Sequence, residues 1–179
     1  MLAAGIRTIQ FRAKAGVDRA IARAMTAAAH AAGGRLIVND DLEAALACDG
    51  WHAGQEDLAG RDPRALRARL GDRLFGVSCG VPEEARLAEA FGADYVGVGP
   101  FAATGTKSDA GAAIGAAGVR RVVEATRLPV VAIGGIDARN LAEVAGSGAS
   151  MAAVISAIAR ARSPEGAARE LVAGWARVA

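Results

Sequence analysis

The chain has 179 residues, the length of one ordinary domain and too short for two. Hydrophobic residues make up 53% and charged residues 22%, which excludes a disordered or collagen-like chain, and with only 4% aromatic content the core has to be built from Ala, Val, Leu and Ile. Lys and Arg number 21 against 19 Asp and Glu, a net charge of +2 that is too balanced for electrostatic grip on nucleic acid, and no apolar run reaches membrane-spanning length. Cys48 and Cys79 form no CxxC pair, so neither a disulfide framework nor a structural zinc site is expected, and the reading is a soluble cytoplasmic protein.

In chain order, Arg7–Arg12 is the first predicted strand. An Ala-rich amphipathic helix follows from Asp18 to Ala32 and stops at Gly33-Gly34. Strands are then predicted at Arg35–Val38, Gly50–Ala53, Leu74–Ser78, Tyr95–Gly99, Pro129–Ile133 and Met151–Ile155. Asp62-Pro63 and Ser163-Pro164 each place a cap residue before a first-turn proline, and a further helix is expected to start in Asp137–Leu141 and end near Gly146-Ser147-Gly148. Most strand runs are continuously apolar, as suits strands buried on both faces of a parallel sheet. No linker divides the chain, so residues 1–179 read as a single domain.

Strand, loop and helix in repetition require right-handed parallel crossovers, which leaves an open doubly wound sheet or an α/β TIM (β/α)8-type barrel. An open sheet concentrates its polar residues at one switch point, whereas a barrel spreads them over the loops after its strands. Here all seven strand ends carry polar or glycine residues, which favours the barrel. A closed barrel needs an eighth strand. The deficit is expected at the N-terminal side, as a missing first βα unit, leaving the Arg7–Arg12 and Met151–Ile155 strands with unpaired edges through which the chain could form a homo-oligomer.

Five segments carry candidate chemistry. In Gln10-Phe11-Arg12-Ala13-Lys14, strand alternation puts Gln10, Arg12 and Lys14 on one face, an amide beside two cations that suits a polyanion with a hydrogen-bonding ring. Asn39-Asp40-Asp41 places carboxylates at a strand end, where they can hold a hard cation or cap the next helix. Asp57, after the following strand, adds a second acid, and two carboxylates plus substrate phosphates suit Mg2+. His52, inside that strand, reads as a hydrogen-bonded structural residue rather than a base. The glycine-rich segment from Gly97 through Thr104, Thr106 and Lys107 offers hydroxyls and a cation to phosphate without a Walker spacing, and also fits an ordinary loop or a lid. Gly134-Gly135 and Ile155-Ser156, at the last two strand ends, fit phosphate binding, with a tight turn as the plainer alternative for the glycines.

These segments together resemble the thiamine-phosphate synthase (thiamine-phosphate pyrophosphorylase) family. The matching stretches are QxRxK at Gln10 to Lys14, Asn39-Asp40, DGxHxGQxD at Asp49 to Asp57, GxS at Gly76 to Ser78, DYVGVGP followed by TxTK at Asp94 to Lys107, IGGI at Ile133 to Ile136, and VISAI at Val154 to Ile158. The resemblance implies a transferase of thiamine biosynthesis that joins a hydroxymethylpyrimidine diphosphate to a thiazole phosphate and releases pyrophosphate. It assigns Gln10, Arg12, Lys14, Asn39, Ser78 and Lys107 to the pyrimidine diphosphate, with Arg12, Lys14, Ser78 and Lys107 acting in catalysis. It assigns Asp40 and Asp57 to Mg2+, and Thr104, Thr106, Gly134, Gly135, Ile155 and Ser156 to the thiazole phosphate. Relatives begin with one more βα unit, and Ala102-Ala103 stands where Phe-Pro is more usual. A thiazole tautomerase-like relative and a non-catalytic phosphate-ligand binder are the alternatives.

Overall fold

Seven strands form one parallel sheet in the order in which they occur in the chain: β1 (Thr8–Phe11), β2 (Arg35–Asn39), β3 (Gly50–Ala53), β4 (Leu74–Cys79), β5 (Tyr95–Val98), β6 (Val130–Ile133) and β7 (Met151–Ala153). The computed structural model describes residues 1–13, 15–105 and 111–179. The connecting helices are α1 (Arg19–Ala31), α2 (Leu42–Ala45), α3 (Gln55–Leu58), α4 (Pro63–Leu70), α5 (Pro82–Ala90), α6 (Gly115–Val123), α7 (Leu141–Gly146), α8 (Ser156–Ala159) and α9 (Pro164–Val178). Every ladder is parallel and joins consecutive strands. The sheet is curled, which brings the side chain of Gln10 on β1 within reach of that of Tyr95 on β5. This is the barrel-type α/β architecture. Among the described residues β1 pairs only with β2 and β7 only with β6, and Met151 and Ile155 beside the β7 edge are exposed.

The caps fall where hydrogen-bond chemistry puts them. Asp18 accepts from the backbone N–H groups of Ala20 and Ile21, Asp62 from Arg64, and Ser163 from Gly166. The other expected helix starts at the last residue of the stretch that announced it. Asp137–Asn140 form a turn in which the Asn140 side chain accepts from the Asp137 N–H, and α7 begins at Leu141. Asp137 pairs with Arg139 instead of capping. Strand ends do shift. β1 stops at Phe11, so Arg12 follows the strand, β2 and β4 each run one residue further than predicted, and β7 ends at Ala153. Helices α2, α3 and α8 have four residues each, too short to register as a periodicity.

The core lies between the sheet and its helices and is dominated by Val, Leu and Ala. Its largest members are Trp51 of β3 and Phe75 of β4, stacked with ring centroids 5.5 Å apart and planes 9° from parallel. No helix among the described residues is long and apolar enough to cross a membrane.

At the amino-terminal ends of the strands one device occurs twice. Asp49, just before β3, accepts from the Leu36 N–H of β2 at 2.8 Å and contacts His30 Nε2 of α1 at 2.7 Å. Asp94, just before β5, accepts from the Phe75 N–H of β4 at 2.7 Å and from Arg67 of α4 at 2.8 Å. Each carboxylate ties the start of one strand to its neighbour and to a helix, satisfying a backbone donor that the ladder leaves over. Asp94→Ala orphans the Phe75 N–H and is expected to destabilise the protein by about 1–3 kcal/mol, read as a lower urea midpoint at constant slope. An unchanged midpoint would show that the bracket carries no stability.

Candidate active site

The ends of β2 and β3 settle which of two adjacent aspartates does what. Asp41 caps α2, accepting from the Ala44 N–H at 3.0 Å. Asp40 is left out of the cap and has φ +64°, the left-handed region that Asp tolerates better than most residues. Two hydrogen bonds hold it there: the Trp51 indole N–H donates to the Asp40 carbonyl at 3.1 Å, and the Asp40 N–H donates to the His52 carbonyl at 3.0 Å. The Asp40 carboxylate comes within 3.5 Å of Arg12 Nε and within hydrogen-bonding reach of Asp57. Asp57 sits in the first turn of α3, where one of its oxygens accepts from the Gly54 N–H at 2.7 Å. It is therefore half-buried and structurally engaged, not a solvent-facing acid that contributes only to the site.

An open cleft of about 430 Å³ beside this pair is lined by Asp40, Asp41, Glu43, Glu56 and Asp57 against one cation, Arg61. Burial, and then the charges of Asp57 and Glu56, push the Asp40 carboxyl above its ordinary range, with Arg12 opposing. Two carboxylates held this close repel, and a divalent cation relieves that repulsion with the hard oxygen donors it prefers. Among the described residues no group of three or more His, Cys, Asp or Glu side chains converges into a self-sufficient metal cage. The donor set fits a cation that takes its remaining ligands from water or a bound anion.

Further round the inner face lies a chain of side chains from β1, β3, β4 and β5. His52 is buried, with Nε2 2.9 Å from Ser78 Oγ and Nδ1 2.9 Å from Tyr95 Oη. Gln10 reaches the same Tyr95 hydroxyl, and Gln55 donates to the Ser78 carbonyl at 2.6 Å. Two glycines make the room. A Cβ on Gly76 would lie 2.1 Å from Tyr95 Cζ, and one on Gly97 would lie 3.1 Å from His52 Cε1. Burial, helped by the Arg12 charge, lowers the His52 pKa to about 4, so the ring is neutral near pH 7.

The ends of β5, β6 and β7 form the other half. The Phe101 and Ala102 N–H groups donate to the Ile133 and Gly134 carbonyls, so the segment after β5 lies directly on the Gly134-Gly135 turn. Both glycines have positive φ, +95° and +66°, and a Cβ on either would collide with Pro100 or Ala102. The tight-turn reading of these glycines is thus correct as far as their backbone goes. Thr104 is half-buried in the same segment. Ile155 is exposed just beyond β7, and Ser156 opens α8.

A profile of the family described as thiamine monophosphate synthase matches residues 1–158. The chain belongs to the thiamine monophosphate synthase family. It is 46% identical to the thiamine-phosphate synthase of Archaeoglobus fulgidus over 176 residues, 96% of this chain and 81% of that protein. It is also 46% identical to the thiamine-phosphate synthase of Moorella thermoacetica, over 95% of this chain and 82% of that protein. The thiamine phosphate pyrophosphorylase structure from Pyrococcus furiosus superposes with a TM-score of 0.88 at 33% identity, covering 99% of this chain and 86% of that one.

Of the residues that the family resemblance singles out, Gln10, Arg12, Asn39, Asp40, Asp57 and Ser78 lie within the last two residues of the first four strands or in the segments that follow them. Gly134, Gly135, Thr104, Ile155 and Ser156 follow the last three. Lys14, Thr106 and Lys107 lie outside the described residues. His52 is hydrogen-bonded and buried, as expected of a structural histidine. Sequence reasoning missed Tyr95, Gln55 and the bond from Trp51 to Asp40. The trace of the first was present, since Gly76 and Gly97 on adjacent strands mark space reserved for large rings.

Two outcomes follow. A histidine whose folded pKa lies below its unfolded value of 6.5 gives stability that is complete above about pH 6.5 and is lost as the pH falls toward 4, here roughly 3 kcal/mol. Denaturation midpoints of the wild type should therefore fall more steeply across that window than those of His52→Asn, and parallel curves would contradict the burial argument. Trp51→Phe keeps a ring in the core but removes the donor to Asp40. It should cost about 1–3 kcal/mol and reduce turnover beyond what a stability-matched core variant such as Val144→Ala does.

Proposed function

We propose that the chain couples a hydroxymethylpyrimidine diphosphate to a thiazole phosphate, yielding thiamine phosphate and pyrophosphate. The observation that carries this reading is the convergence of Gln10, Arg12, Asn39, Asp40, Asp57 and Ser78 on four consecutive strand ends, in a chain that matches the family over residues 1–158. The names of the relatives in A. fulgidus and M. thermoacetica support the same activity.

In this reading Gln10 and Asn39 orient the pyrimidine diphosphate, and Arg12 meets its phosphates from the end of β1. Lys14 and Lys107 add further positive charge, and Ser78 offers a hydroxyl from β4. Asp40 and Asp57 would hold Mg2+, which when bound would supply positive charge that lowers the cost of separating pyrophosphate. Arg12, Lys14 and Lys107 neutralise the charge that develops on the leaving oxygens, an electrostatic contribution that needs no general base. Departure of pyrophosphate leaves a pyrimidine-methyl cation, which the aminopyrimidine delocalises and the thiazole nitrogen attacks. The thiazole phosphate is received by Thr104, Thr106, the Gly134-Gly135 turn, Ile155 and Ser156. The partners are thus small phosphorylated molecules rather than nucleic acid or membrane, and the setting is cytoplasmic, in keeping with the two buried free thiols Cys48 and Cys79.

The test is formation of thiamine phosphate from the two purified substrates, with and without Mg2+. Asp40→Asn and Asp57→Asn keep an oxygen for local hydrogen bonds, including the one from Gly54, but remove a charge. Each should lower turnover roughly 100-fold with little change in melting temperature. Activity that survives EDTA and both substitutions would remove the metal from the reading. Absence of product under all conditions would favour a thiazole tautomerase-like relative or a binding protein.

A further inference from the structure

The inner-face chain Tyr95–His52–Ser78 has a direction that follows from the donor and acceptor strengths of its members. Neutral His52 carries one N–H and one lone pair, and it faces a hydroxyl on each side, 2.9 Å away. The phenol O–H of Tyr95 is the more acidic and so the stronger donor of these two hydroxyls, and the alcohol oxygen of Ser78 is the stronger acceptor. The lone pair of the neutral ring therefore takes the Tyr95 hydrogen at Nδ1, the ring nitrogen that faces that hydroxyl. The ring hydrogen therefore sits on Nε2 and is donated to Ser78 Oγ. Among the described residues this leaves the Ser78 hydroxyl hydrogen without a protein acceptor, while Gln55 fixes the Ser78 backbone from the other side. In the opposite tautomer the Ser78 hydrogen would be spent on Nε2 and the serine could only accept.

We propose that His52 and Tyr95 are positioning residues that hold His52 as the Nε2–H tautomer, and so present the Ser78 hydroxyl as a hydrogen-bond donor to the bound diphosphate substrate. The role of Ser78 toward that substrate rests on the function proposed above. The slot that Gly76 and Gly97 leave for the two rings fixes both in place, so the tautomer is set by partners and not by free rotation. A residue that only filled space here would act on stability alone.

Two measurements test this. The first needs no turnover: nitrogen-15 NMR of histidine-labelled protein at pH 7. With 2 histidines in the chain, a His30→Gln variant assigns the signals. The expected pattern is a protonated nitrogen at Nε2 and an unprotonated one at Nδ1 of His52, and a mixture of both tautomers in Tyr95→Phe. A predominant Nδ1–H form in the wild type overturns the proposal. The second is a double-mutant cycle. Tyr95→Phe is expected to lower kcat/KM about tenfold in the wild type and to have no further effect in Ser78→Ala, because the two act as one unit. An equal loss in both backgrounds also overturns it. If no form turns over, the assigned activity fails, while the NMR result still decides the tautomer.

Discussion

Trp51 is completely buried, and its ring has one polar atom to satisfy. That atom's hydrogen goes to the carbonyl of Asp40, and the geometry at the site follows from this bond. The left-handed backbone at Asp40 is uncommon for a residue with a side chain, and it persists because two hydrogen bonds over-determine it. With Asp40 turned in this way, the next carboxylate, Asp41, falls into register to cap α2. One pair of adjacent aspartates is thereby divided between scaffold and site. The packing of Trp51 on Phe75 is accordingly not separable from the position of the acid that faces Arg12 and Asp57.

The second constraint is the order of the sheet. Strands that neighbour one another in the chain also pair in space and run parallel, so every strand delivers its carboxyl end to the same side. Residues spread from Gln10 to Ser156 are delivered to that side without any long connection having to fold back. The arrangement also divides the site by strand number. The amide, cation, carboxylates and serine come from β1 to β4, while the glycine turn and the segment lying on it come from β5 and β6. Two substrates approaching from the two halves would meet over the inner face, where the neutral His52 and Tyr95 carry no charge to compete with theirs.

Much of this was readable from the chain. Continuous runs such as Leu36-Ile37-Val38, short and rich in branched side chains, suit strands covered on both faces, and Asp18, Asp62 and Ser163 announce their helices because a short oxygen-bearing side chain at that point satisfies a free N–H. What was not readable depended on distance in the chain or on backbone sign. Asp40 and Asp41 are the same residue type at adjacent positions, and backbone sign tells the cap from the acid left to face Arg12 and Asp57. Asp137 looks like a helix start, but Arg139 takes its carboxylate and Asn140 reaches back to its N–H. Tyr95 gains its meaning from the curl that brings β5 opposite β1, which no local pattern encodes.

Asp49 and Asp94 do their work at the end of the strands away from the candidate site. Each anchors a strand through a backbone donor of the strand before it and a side chain of a helix. Cohesion and chemistry are thereby assigned to opposite rims of one sheet. A loop at the carboxyl rim can lengthen, shorten or change its residues while the anchors that set strand spacing stay untouched. The molecule is modular across its thickness, and a new specificity could be grafted on one rim with the foundation on the other left as it is.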